Sequence, residues 1–249
     1  MAKPEPTIAE AFNDKKLRIM RTTPTGVAVY PHIVHYDKYQ FEEGNGKQCN
    51  TQLILDDAED FIEDLRVKAD EAFEIGKAQL QEEIDGGKLK GKALAKAKAN
   101  LKDLEVFYPF EDDVDDEGDP NGKVILKKAK TMVAGTDDDG NVWEKEVPIF
   151  DAAGNKIEGQ ARAKLKLWAG SQIKLSVQLV PFCAPGLGIA GISLRLAACQ
   201  VISLAGSSAT ADTFGFGAEE GGYTADDSDA GFSDETGGSE SSEEEDPDF

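Results

Sequence analysis

Between positions 162 and 168 the chain sets a cation or an aromatic ring at every second residue: Arg162, Lys164, Lys166 and Trp168. Small or apolar residues fill the alternate positions, Ala161, Ala163, Leu165 and Leu167. After a turn at Ala169-Gly170-Ser171 the alternation resumes, with Ile173, Leu175, Val177 and Leu179 set against Gln172, Lys174, Ser176 and Gln178. A strand sends successive side chains to opposite faces. The spacing therefore predicts two strands, 161–168 and 172–179, that bury one face and offer the other. Cations on such a face neutralise phosphates and a ring among them stacks a nucleobase, a combination suited to single strands with little sequence preference. Arg195 repeats the theme, outward in a final strand 192–204 whose Ile192, Leu194 and Leu196 point inward. Tyr36 and Lys38 add an aromatic and a cation. The candidate nucleic-acid contacts are thus Arg162, Lys164, Lys166, Trp168, Lys174, Arg195, Tyr36 and Lys38.

A second chemistry lies at the C-terminus. Residues 206–249 hold seven Asp and seven Glu, no Lys or Arg, and finish Glu243-Glu244-Glu245-Asp246-Pro247-Asp248-Phe249. The few apolar residues are strung between Gly, Ser and carboxylates, so burial cannot offset ordering entropy and self-repulsion, and a disordered tail is expected. One reading of it is a solubilising polyanion. The other is a competitor for the cationic face with an aromatic end-group for a partner to grip. A flexible chain of this length spans roughly 35–40 Å, enough to reach a groove on its own body or a neighbour's. Glu243, Glu244, Glu245, Asp246, Asp248 and Phe249 are the candidate partner-binding residues.

With those 14 acids set apart, residues 1–205 keep 34 Asp and Glu against all 27 Lys and Arg, an ordinary mixed-charge body rather than a chain at −21. Net acidity argues against indiscriminate nucleic-acid binding, but local clustering overrides the sum. Cys49, Cys183 and Cys199 are odd in number and without paired spacing, which reads as reduced thiols. His32 and His35 are expected to flank a strand rather than hold a metal, and no metal or cofactor is expected. No signal peptide or membrane-spanning run is read, so an intracellular, soluble protein is expected.

Catalytic motifs are absent. Asp113-x-Asp115-x-Glu117-Gly118 opens like a calcium loop, but its twelfth position is Val124, so the bidentate carboxylate is missing. Gly186-Leu187-Gly188-Ile189-Ala190-Gly191 matches a dinucleotide fingerprint as a string, yet a β-alternating segment follows where a helix must open. A binding protein rather than an enzyme is expected.

These residues need elements to position them. A short helix is expected over 7–14, strands over 25–30 and 48–55, and a helix from 56 to Gly86-Gly87 carried by Phe61, Leu65, Ala69, Ala72, Phe73 and Leu80. A lysine-rich second helix follows over 88–102. Strands are expected over 123–133 and 142–150, an acidic turn over 111–122 and a loop over 181–191. Several short strands around one helical stretch point to a mainly β (α+β) domain, an OB-fold-like, partly open five-stranded β-barrel over residues 1–205 with a helical insertion at about 56–104.

The segments Gly26-Val-Ala-Val-Tyr-Pro-His, Gln52-Leu-Ile-Leu, Gly170-Ser-Gln-Ile-Lys-Leu-Ser-Val and Gly191-Ile-Ser-Leu-Arg-Leu-Ala-Ala-Cys-Gln-Val-Ile-Ser-Leu, with the acidic tail and its terminal Phe, resemble the single-stranded DNA-binding proteins of T7-like bacteriophages. The resemblance implies an OB-fold that binds single-stranded DNA in replication, recombination and repair, a homodimer in the host cytoplasm, and a tail that contacts the phage DNA polymerase and helicase-primase. The competing expectation is an acidic interaction protein, a DNA mimic or chaperone for a basic partner, without affinity for DNA.

Overall fold

The structure, a computed structural model, describes residues 4–36, 47–87, 89–115 and 117–206. Its framework is a pair of long antiparallel strands, β9 (Gln172–Ala184) and β10 (Ile189–Ser203). The period-two pattern holds along both: Ile173, Leu175, Val177 and Leu179 are buried on β9, and Ile192, Leu194 and Leu196 on β10, while Arg195 is exposed. The loop expected over 181–191 shrinks to a single turn of 3₁₀ helix at Pro185–Leu187, because pairing continues to Ala184 and resumes at Ile189.

Three earlier strands complete a ring with this pair: β2 (Gly26–His32), β3 (Lys47–Leu55) and β6 (Pro120–Thr136). Among the described residues the order is β9-β2-β3-β6-β10, and the β9–β10 pairing closes it. The ring is antiparallel throughout except between β6 and β10, which meet in parallel at a single register pair, Lys130 with Arg195. One apolar core fills it, including Leu53, Leu55, Leu126, Ile173, Leu175 and Ile192. The mainly β architecture with a helical insertion is thus present, as a ring of five strands.

Short strands extend the ring. The strand β1 (Ile19–Thr22) lies against β9, and β4 (Glu105–Phe107) pairs with β10. Strand β5 (Phe110–Val114) makes a hairpin with β6, and so does β7 (Val142–Glu144), while β8 (Ile149–Phe150) pairs with β10. Glycine 191 is required by β4: a Cβ there would sit 2.2 Å from the Phe107 carbonyl oxygen. The fingerprint-like glycine string therefore serves strand packing.

Helix α1 (Ile8–Asn13) starts in a capping box, Thr7 Oγ1 accepting from the Glu10 amide and the Glu10 carboxylate from the Thr7 amide. Helix α2 (Glu59–Asp85) buries Ile62, Leu65, Ala69 and Ala72 in the main core. Leu65, Ala69, Ala72 and Leu80 face inward as expected, whereas Phe61 and Phe73 are only partly buried and Ile62 and Gly76 take the inward positions beside them. The far end of α2 leaves that core, and Leu80 and Ile84 meet Ala97 of α3 (Gly91–Lys102) in a small separate cluster. Among the described residues no helix is long and apolar enough to cross a membrane.

Three sequence expectations are corrected. Residues 161–168 are not a strand: α4 (Gly159–Lys164) occupies the first half, and residues 165–168 form an irregular segment whose burial alternates. Short-range alternation of Ala with cations carries little burial information, and the buried acceptors described below draw Arg162 inward. The strand expected over 142–150 is split into β7 and β8, since Pro148 carries no N–H and the 145–148 segment crosses between two strands instead. The acidic turn expected over 111–122 is strand at both ends, β5 over 111–114 and β6 from 120, leaving a tight turn in which the Asp115 carboxylate accepts from the Glu117 and Asp119 amides at 2.9 and 3.0 Å.

Candidate nucleic-acid interface

The first half of the candidate interface is an open groove of about 460 Å³ with mainly apolar walls. One wall is the stretch after α4. Arg162 is buried, donating from Nη1 to the Val147 carbonyl at 2.8 Å and from Nη2 to the Ile33 carbonyl at 3.5 Å, with Nε 3.5 Å from the Glu146 carboxylate. With Arg162 anchored inward, Lys164 faces out; Leu167 is buried and Trp168 is 62% exposed. The turn that follows is tied to β2 by Gly170 N–H to the Ala28 carbonyl and Ala28 N–H to the Ser171 carbonyl, at 2.9 and 2.8 Å.

The opposite wall is the end of β2, where the register with β3 breaks between Val29 and His32. Tyr30 sits in that bulge at φ 47°, a left-handed conformation that a non-glycine residue rarely adopts, here immediately before Pro31. Bulges re-aim side chains and strained backbone collects at functional sites. Tyr30 is 69% exposed and lines the groove with Trp168, Lys164 and Lys166. The sequence reading missed it, although a ring directly before a proline at a strand end was a usable signal.

The second half lies along the outer face of β9 and β10. Lys174 stands opposite Gln200 and lines a shallow recess with Thr22, Phe150 and Ser176. Farther along the same face, Arg195 lines a smaller recess together with Arg18 and Lys145, neither of which the strand pattern had singled out. The structure thus brings Lys164, Lys166 and Trp168 together around one groove, sets Lys174 and Arg195 on strand positions of their own, and turns Arg162 into the body. Tyr36 is half-buried against the core with Lys47 Nζ 5.0 Å from its ring centre. Lys38 and the residues Glu243, Glu244, Glu245, Asp246, Asp248 and Phe249 lie outside the described residues.

The thiols contribute no nucleophile near neutral pH. Burial pushes Cys49 up to about 11 and Cys199 up to about 12, and it raises Cys183 as well, aided by the charge of Glu83.

No protein-family profile matches the chain, and no curated protein sequence matches it. Solved structures do. The crystal structure of gp2.5, a single-stranded DNA-binding protein encoded by bacteriophage T7, superposes with a TM-score of 0.55 at 20% identity, covering 84% of this chain and 100% of that one. The chain has the gp2.5 fold. Two structures of the single-stranded DNA-binding protein of bacteriophage Enc34, one with single-stranded DNA and one truncated at its C-terminus, align at TM-scores of 0.43 and 0.44. They are 15% and 13% identical and cover 74% of this chain, and 86% and 85% of theirs. The likeness to T7-type phage proteins read in the short sequence segments is therefore carried by the gp2.5 fold, with the ring strands β2, β3, β9 and β10 containing those segments.

Proposed function

We propose that this chain is a non-enzymatic single-stranded DNA-binding protein of phage replication and recombination. The observation that carries the reading is the groove in which two exposed rings, Trp168 and Tyr30, stand with Lys164 and Lys166 on a gp2.5-type fold. Rings of this kind stack bases irrespective of sequence, and the lysines track the backbone. Bound along the groove and the outer face of β9 and β10, the strand is covered and held out of secondary structure, which also presents it for annealing. The acidic tail ending in Phe249 recruits the polymerase and helicase-primase, and the protein acts as a homodimer.

Titration of the full chain with poly-dT, following tryptophan fluorescence over a salt series, tests the DNA reading. The expected result is quenching, with affinity that falls steeply as salt rises. A chain that leaves the fluorescence unchanged and shows no binding by sedimentation is the acidic interaction protein instead. For the tail, Phe249→Ala is expected to abolish polymerase binding in a pull-down while leaving poly-dT affinity unchanged; loss of neither overturns the recruitment role.

A further inference from the structure

The recess beside Arg195 has a construction that general DNA coating does not require. Among the described residues β6 and β10 share a single register pair, Lys130 with Arg195, and the 145–148 segment bridges the opening beyond: Lys145 N–H donates to the Val133 carbonyl of β6 at 2.7 Å, and the Pro148 carbonyl accepts from Cys199 N–H of β10 at 3.0 Å. Arg162 pins this bridge from behind through the Val147 carbonyl. The recess offers about 260 Å³, below the range of about 300–1,000 Å³ usual for whole small molecules.

Its lining is selective. Arg18, Lys145 and Arg195 all border it, and none of the three is in an ion pair with a described residue. Glu146 also borders it, but its carboxylate is the one engaged by Arg162. Two neutral polar side chains, Gln178 and Thr131, are 6% and 8% exposed and line the recess, and neither side chain has a hydrogen-bond partner among the described residues. Gln178 is paired in register with both Met20 and Arg195, so cross-strand pairing holds its side chain on the same face as the arginine. Neither residue's polar atoms are sealed from solvent, so both are available to a ligand in the recess. Uncommitted donors on a floor ringed by three cations suit an oxyanion.

We infer that this recess seats one phosphate group, with the Gln178 amide and Thr131 hydroxyl donating to its oxygens while Arg18, Lys145 and Arg195 supply the charge. The phosphate is a backbone phosphodiester of bound single-stranded DNA, so the ligand, though not the recess, rests on the function proposed above. The seat fixes the register of the strand on the outer face of β9 and β10.

The test measures dT-oligonucleotide affinity over a salt series for the full chain, Gln178→Leu, Thr131→Val and Arg195→Ala, with circular dichroism melts to verify folding. Side-chain amide NMR of Gln178 is followed in parallel during separate titrations with the oligonucleotide and with inorganic phosphate. Arg195→Ala is expected to flatten the log–log salt dependence by about 0.7, the share of one single-strand phosphate. Gln178→Leu is expected to weaken binding about tenfold with the slope retained, as for a lost hydrogen bond to a charged group, and Thr131→Val reports the same loss should the leucine variant melt early. The Gln178 amide is expected to shift with the oligonucleotide. A shift with inorganic phosphate alone, with all oligonucleotide slopes unchanged, would reassign the seat to a free phosphate compound and overturn the DNA assignment. No shift with either ligand and unchanged affinities would overturn the seat itself. If the unaltered chain fails to bind oligonucleotide at all, the proposed function fails, and the phosphate titration still decides the recess.

Discussion

The aromatic groove and the cationic recess are built by opposite means. The groove is made from irregular backbone: a bulge that holds Tyr30 at φ 47° and a post-helical segment that ends in Trp168. The recess is made from strand register, which aligns Met20, Gln178, Arg195 and Lys130 across four neighbouring strands. Stacking depends on area and is little affected by salt, whereas phosphate contacts lose strength as counterions are added. A strand bound at both, as proposed above, is held by terms that respond differently to solution conditions. Salt titration separates them without any structural perturbation.

The largest effect should come from removing the groove's main ring. Trp168→Ala is expected to cost about 1–3 kcal/mol of oligonucleotide affinity, with the salt slope retained; a flattened slope in fluorescence anisotropy would mean that the ring acts by positioning the lysines. Tyr30→Gly should weaken binding by a lesser factor. Because glycine relieves the left-handed strain, the same variant should melt at a higher temperature, and a lower one would show that the tyrosine ring stabilises the bulge. Arg162→Met tests the reverse combination. Loss of the buried donors leaves the Val147 carbonyl unpaired and the Ile33 carbonyl with the Cys49 thiol alone, a cost of about 1–3 kcal/mol, visible as a lowered melting temperature. Since the bridge over the recess is loosened, the salt slope should fall while the Trp168 quench persists.

The smallest effect near neutral pH is that of the thiols beneath both regions. Cys49 and Cys199 are held protonated in the folded state, so the unfolded chain releases their protons first as pH rises. Their contribution to stability is complete below about pH 9 and is lost as pH climbs through about 11 and 12. Denaturant midpoints should be insensitive to these groups at pH 7 and fall in that alkaline window; a Cys49→Ala, Cys199→Ala double variant should show a shallower fall.

How much of this was legible in the sequence follows from which physical signal each element leaves. Strands β9 and β10 read cleanly because one face is buried and the other wet, so their period of two is written in polarity. The helical insertion read equally well through Leu65, Ala69, Ala72 and Leu80, and missed only at Phe61, since Phe61 and Ile62 are both apolar and only packing chooses between them, and at Phe73. Helix α4 did not read, because a two-turn helix whose one buried side chain is Arg162 leaves no apolar periodicity to find. For the same reason Trp168, Lys164 and Lys166 were identified correctly as neighbours from an incorrect element, while Arg162 was assigned to the wrong side. Gln178 and Lys145 were not identified, because the recess depends on where β6 parts from β10, a long-range geometry that no local pattern encodes.

The closure of the ring also dictates an order of events. Strands β2 and β3 pair early in the chain, but Gly26 finds its other neighbour only at Ile173, and β1 finds β9 at Leu179. Contacts so distant in sequence are slow to form, and open strand edges wait unpaired until they do. The nascent body therefore stays an unfinished sheet until its last two strands are made, and maturation of the recess on their outer face coincides with the final step of folding. Destabilising the β9–β10 hairpin should consequently slow folding far more than shortening the α2–α3 arm, whose small separate core forms from neighbours in the chain.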